Sequence, residues 1–164
     1  MEKIPDYPLE QVALIKKKRE EEAEKVLKER KEALEVEEKK LEKVKEERDK
    51  VKKHKADKLK QLNDKFEEGI TSDEIQMMER YLKVVDEQLK AKEDKVTEQQ
   101  TARDAADKAV VDAKADLNKK QLAVEKMRIH RKEWEKEMKF LLQVEQGKHT
   151  DDIGTIIHAR NKRS

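Results

Sequence analysis

The chain has no cysteine, no proline after Pro8, and only three glycines, Gly69, Gly147 and Gly154. Without cysteine there are no disulfides and no thiolate metal sites. Proline breaks a helix by removing a donor and clashing with the preceding turn, and glycine weakens one by about 1 kcal/mol. Segments that avoid both are free to stay helical throughout. Aromatic residues make up only 3% of the 164, too few for the layered core of an ordinary globular domain. No apolar run approaches the ~18 residues of a membrane span, and the N-terminus lacks a signal-peptide hydrophobic region. A soluble, cytoplasmic protein without direct membrane insertion is expected. An excess of one charge sign is also missing. The net charge is +2, and residues 147–164, with four basic and two acidic groups, hold all of it. Bulk attraction to nucleic acid or an anionic membrane is accordingly weak, and no nucleic-acid partner is expected.

What the chain does have is charge in abundance and a regular period. Charged residues make up 49% of it. High charge with low hydrophobicity is the signature of disorder. Here, however, the charges are mostly Lys, Arg and Glu, good helix formers, and the apolar residues recur at fixed intervals. The spacing predicts an all-α fold of two long helices. Arm one covers 8–68, a turn 69–71, arm two 72–146 and a tail 147–164.

Arm two carries the clearer seam. Alternating steps of three and four from Ile75 visit Met78, Leu82, Val85, Leu89, Lys92, Val96, Gln99, Arg103, Ala106, Val110, Ala113 and Leu117. They continue through Lys120, Val124, Met127, Arg131, Trp134, Met138, Leu141 and Glu145. Most of these seats are apolar, which is a coiled-coil pattern. In arm one the corresponding reading is Ala23, Val26, Arg30, Ala33, Glu37, Leu41, Val44, Arg48, Val51, Lys55, Leu59, Leu62 and Phe66. Two pairs of consecutive four-residue steps make it irregular, a feature that relaxes a left-handed supercoil.

Between the arms, Gly69 suits the left-handed position that closes a helix. Thr71 and Glu74 have the spacing of a capping box, with Ile70 and Ile75 in the seats of a hydrophobic staple. With Asp73 at the positive end of the new helix dipole, four signals agree on one stop and one restart, so the arms are expected to fold back as an antiparallel coiled-coil hairpin. At 1.5 Å per residue the arms measure roughly 90 and roughly 110 Å. Arm two then outruns arm one, carrying Trp134, Met138, Phe140, Leu141, Leu142 and Val144 beside the N-terminal Leu9, Val12 and Ile15. This is the least polar surface available, and it has two readings: a small satellite core, or a docking surface for another protein. Beyond Gly147, Thr150-Asp151-Asp152 has the composition of a cap for a short helix through Ile153, Ile156 and Ile157.

No catalytic constellation emerges, and no cofactor is expected. The glycines are too scattered for a phosphate-cradling loop. His54, His130, His149 and His158 have no partners at metal-ligand spacing. The carboxylates lie on solvated faces with no pocket to separate their pKa values. From Lys39 to Lys60 basic residues outnumber acidic ones, but no aromatics are interleaved for base stacking. A solvated, ion-paired helix face accounts for that stretch. The polar seats Arg30, Glu37, Arg48, Lys55, Lys92, Gln99 and Arg103 either fix register or loosen the centre for a partner helix.

The opening Tyr7-Pro8-Leu9-Glu10-Gln11-Val12, followed by Ile15-Lys16-Lys17-Lys18-Arg19 and an acidic, lysine-rich helix, resembles the type III secretion stalk family YscO. FliJ is its flagellar counterpart, and the likeness is greatest to the chlamydial-type YscO. The resemblance implies a non-enzymatic hairpin similar to the γ stalk of rotary ATPases. It implies insertion of the end bearing both termini into the hexameric secretion ATPase. It further implies contacts with the export gate protein and export chaperones, coupling ATP hydrolysis to export. On that footing Leu9, Val12, Ile15, Arg131, Trp134, Phe140 and Leu141 sit at the ATPase-facing tip of a cytoplasmic protein peripheral to a membrane-embedded secretion apparatus. The competing reading is a generic coiled-coil scaffold or chaperone-like adaptor.

Overall fold

The computed structural model describes residues 3–163 as two helices, α1 (Glu10–Glu68) and α2 (Ser72–Lys162). They form an antiparallel hairpin, with cross-helix contacts that join early α1 to late α2 and late α1 to early α2. Two compact units can be distinguished. One contains residues 1–25 and 115–164, the other residues 26–114. Both are built from facing stretches of α1 and α2.

The turn occupies Gly69, Ile70 and Thr71. Gly69 has φ 93°, which any side chain would strain. Thr71 caps α2 reciprocally: the Glu74 N–H donates to Thr71 Oγ1 at 3.4 Å, and the Thr71 N–H donates to Glu74 Oε2 at 3.3 Å. Asp73 and Glu74 add negative charge to the first turn of α2, where the helix dipole favours it. Ile70 and Ile75 are both half-buried, one on each side of the cap.

From Ile75 to Met127, every expected seam position of α2 is buried or half-buried, with Val85, Val110 and Ala113 the most covered. In α1 the structure corrects the register. Leu27 and Leu34 turn inward where Val26 and Ala33 were expected, and Lys58 takes the place of Leu59. The α1 seam is then Ala13, Lys16, Glu20, Ala23, Leu27, Leu34, Glu37, Leu41, Val44, Arg48, Val51, Lys55, Lys58 and Leu62. With Arg30 as a vacant seat, these keep strict alternation of three and four, so the expected irregularity disappears. The physical reason is that both helices must keep one face toward each other over many turns, which a steady 3.5-residue period achieves.

In the unit of residues 26–114, the polar seats are occupied by paired groups. Gln99 donates to the Glu37 carbonyl at 3.2 Å and to its carboxylate at 2.5 Å. Lys92 meets Glu47 at 3.1 Å, Lys55 meets Asp86 at 2.5 Å and Arg103 meets Glu38 at 3.4 Å. The Gln99 amide, then Lys40, holds the Glu37 carboxyl below its ordinary value, and Lys92 does the same for Glu47. Arg103 is held above its usual value, first by its bond to neighbouring Asp104 and then by Glu38. These cross-helix pairs lie near solvent, so they specify which residues face one another more than they stabilise. His54 and Tyr81 also meet across the pair, with a hydrogen bond of 2.6 Å and Lys58 Nζ 5.6 Å from the tyrosine ring.

A second correction concerns the tail. The expected break at Gly147 does not occur: α2 runs through Gly147 and Gly154 to Lys162. Glycine raises the cost of a helix without forbidding it, unlike proline. Thr150 and Thr155 do not cap; their hydroxyls donate back to the carbonyls of Gln146 and Asp151 at 2.8 and 2.9 Å, within the same helix.

Candidate docking surface

In the unit of residues 1–25 and 115–164, Tyr7 is the organising residue. It stands just before α1 and is 6% exposed. Its ring meets Trp134 edge-on at 5.3 Å between centroids and His130 at 5.8 Å, and its hydroxyl is hydrogen-bonded to His130 Nδ1 at 2.5 Å. The Arg131 guanidinium lies 5.5 Å from the ring centroid. Arg131 Nη1 also pairs with Glu10 Oε2 at 2.8 Å, and its Nε donates to Glu135 at 3.4 Å. The Glu10 N–H donates to the Tyr7 carbonyl at 3.2 Å, so the segment that places the ring also starts the helix. Pro8 cannot continue a ladder, which confines the preceding residues to an extended strap.

The expected tip residues therefore divide into two groups. Trp134 is half-buried beneath Tyr7, and Arg131 is committed to Glu10, Glu135 and the tyrosine ring. Leu9, Val12 and Ile15 are exposed at 37, 41 and 51%, and Phe140 and Leu141 at 63 and 47%. Met138, Leu142 and Val144 are half-buried. Tyr7 was not among the expected site residues, although it opens the segment that carries the resemblance. The available signal was an aromatic next to proline in a chain with very few aromatics. His130 is exposed and hydrogen-bonds the Tyr7 hydroxyl.

One turn earlier on α2, Arg128 grips Glu125 with two donors at 2.9 and 2.5 Å. The pair lowers the Glu125 carboxyl below its ordinary value and raises Arg128 above its own. The surface grooves in this unit are shallow and lined by residues such as Lys16, Lys119, Leu122 and Ala123. No group of three or more His, Cys, Asp or Glu side chains among the described residues is placed to hold a metal ion. Such a surface offers contact area.

The model of the family described as YscO-like protein matches residues 4–164. The chain belongs to the YscO-like family. A solved YscO homolog, CT670 of Chlamydia trachomatis, is 41% identical, with a TM-score of 0.94 over 98% of this chain and 99% of that one. No curated protein sequence matches. Membership makes this a type III secretion-associated protein, from a family of structural components of that apparatus and not a known enzyme family. No described helix is long and apolar enough to cross a membrane.

Proposed function

We propose that this YscO-like chain is a central-stalk component of a type III secretion apparatus. In this reading it binds the hexameric secretion ATPase through the surface around Leu9, Val12, Ile15, Phe140 and Leu141. The observation that carries the proposal is the exposure of the large apolar side chains Leu9, Val12 and Ile15 early in α1 and Phe140 and Leu141 late in α2, on helices that are otherwise densely charged. Exposed aliphatic and aromatic anchors on a polar background suit a protein contact. A single stalk inside a six-membered ring contacts its subunits unequally. It can thereby bias their states through differential contact, coupling ATP hydrolysis to export without chemistry of its own. Trp134 and Arg131 serve this surface from beneath, by fixing the strap.

The export gate protein and export chaperones take other exposed apolar surface, such as the strip of Met77, Tyr81 and Val84 on α2. The protein works on the cytoplasmic side, peripheral to the membrane-embedded apparatus.

The test is co-purification with the cognate secretion ATPase and stimulation of its turnover. Phe140→Ala with Leu141→Ala should abolish most of the stimulation while leaving helix content and melting unchanged. Equal losses of melting and binding would make the surface mere core. Failure of the unaltered chain to bind the ATPase would sink the stalk reading.

A further inference from the structure

Every described residue from Glu145 to Arg163 is exposed, yet α2 stays helical as far as Lys162. The composition there suits a lone helix poorly. Gly147, Gly154, Thr150, Thr155, Asp151 and Asp152 all rank low as helix formers, so extending α2 through them is unfavourable even though the preceding turns already supply the nucleus. Packing normally supplies what propensity lacks, and within this chain no packing covers the segment.

Three features describe what would cover it. Ile153, Ile156 and Ile157 form an i, i+3, i+4 stripe, exposed at 45, 66 and 52%. Gly147 and Gly154 lie one heptad apart, and a Cβ at either would meet nothing within 4 Å. Nothing inside the chain therefore calls for glycine, whereas close approach of another helix does. Finally, charge is distributed unevenly about the stripe. Glu145, Lys148, His149, Asp151 and Asp152 precede it, an excess of acidic groups, and His158, Arg160, Lys162 and Arg163 follow it. Two copies laid parallel would set basic end against basic end, while antiparallel copies set acidic against basic.

We propose that residues 145–163 form a self-association surface, pairing antiparallel with the same segment of a second copy. Ile153 of each chain faces Ile157 of the other. The two Ile156 side chains meet beside the two-fold axis, and the two Gly154 residues allow the backbones to approach on the opposite flank. The contact is isologous and closes at two copies. It goes beyond the stalk reading and does not depend on it.

Sedimentation equilibrium of the full chain tests this. The mass should rise with concentration from 19.4 kDa toward twice that value. Ile157→Lys should hold it at the monomer. Gly154→Leu adds both apolar surface and helix propensity, so without a second copy it should only favour helix. With one it should weaken association by roughly tenfold or more, through steric conflict at the axis. Asp151→Lys with Asp152→Lys should dissociate the pair, and adding Arg160→Glu with Lys162→Glu to the same chain should restore it. Ile156→Cys, the sole thiol in such a chain, should oxidise readily to a covalent dimer, whereas Val144→Cys should not. A monomeric mass at every concentration overturns the proposal. So does tighter association by Gly154→Leu, or failure of the charge exchange to restore pairing. ATPase binding by monomeric Ile157→Lys would leave the stalk reading intact, so the two ideas fail separately.

Discussion

Removing the Tyr7 side chain gives the sharpest test of how the strap is held. A tyrosine buries roughly 150–250 Å², and at 6% exposure Tyr7 has nearly all of its surface covered. At about 25 cal/mol per Å², this amounts to about 4–6 kcal/mol. A compact denatured chain already hides part of that area, which lowers the figure to about 3 kcal/mol. The edge-on contact with Trp134 and the Arg131 guanidinium are part of this loss. Tyr7→Phe removes only the hydroxyl's bond to His130, about 0.5–1 kcal/mol. In a chain of this length, 1 kcal/mol moves Tm by about 2–4 °C. Tyr7→Ala should therefore lower the midpoint of this unit by about 6–12 °C, and Tyr7→Phe by no more than about 4 °C. Trp134 is the only tryptophan and touches the deleted ring, so its fluorescence follows the relevant event. Its emission should shift to longer wavelength in Tyr7→Ala before any heating. If both the emission and the midpoint stay where they are in the unaltered protein, the strap is not packed and the reasoning fails.

Three further predictions concern the unit of residues 26–114. Leu27→Ala should cost about 2 kcal/mol and Val26→Ala no more than about 0.5 kcal/mol in urea unfolding, because only Leu27 faces the seam; the reverse order would restore the discarded register. Gly69→Ala places a Cβ at positive φ, and Thr71→Ala removes the reciprocal cap. Together they should cost about 2–3 kcal/mol and shift the chain toward elongated dimers, whereas light scattering that still reads compact monomers would contradict the account of the turn. The depressed Glu37 and Glu47 carboxyls contribute stability that is complete above their unfolded value, near 4.5, and is lost as pH falls through their lower folded values. Urea midpoints should drop on acidification below about pH 4.5, less steeply in Glu37→Gln with Glu47→Gln; an unchanged slope would remove those two groups from the explanation.

Legibility followed the periodicity. In α2 most seats from Ile75 to Met127 are apolar and follow one steady alternation of three and four, so the inward face could be read directly. Arm one offers adjacent candidates at the same step: Val26 beside Leu27, Ala33 beside Leu34, Lys58 beside Leu59. Spacing alone does not choose between neighbours; the partner helix does, by demanding a constant period. At Lys58 the choice favoured a lysine whose stem packs inward while its ammonium lies near the Tyr81 ring. The turn was legible because its signals are local and chemical. Tyr7 was not, because one aromatic outside a helix belongs to no period and its value rests on residues more than 120 positions away. The glycines of the final segment misled for a different reason. Gly69 sits at positive φ and ends a helix, while Gly147 and Gly154 are helical, and composition does not distinguish these roles.

The same contrast bears on where contact surfaces lie. In the unit of residues 26–114, the seats Glu37, Lys55, Lys92, Gln99 and Arg103 find partners across the seam, so the chain supplies its own specificity there. No buried side-chain donor or acceptor among the described residues lacks a partner. In the other unit, Tyr7 draws Trp134, His130 and Arg131 into a closed cluster, while Phe140, Leu141 and the isoleucines of the last turns are left in solvent. A charged helix gains nothing within its own fold by exposing such residues, because each loses the free energy that burial would have returned. On the two proposals above, a second molecule covers that apolar surface. Along α2 the isoleucine stripe lies more than two turns beyond Phe140 and Leu141. Substitutions at the two sites can therefore be combined in one chain, and independent losses of ATPase binding and self-association would assign the two surfaces to different partners.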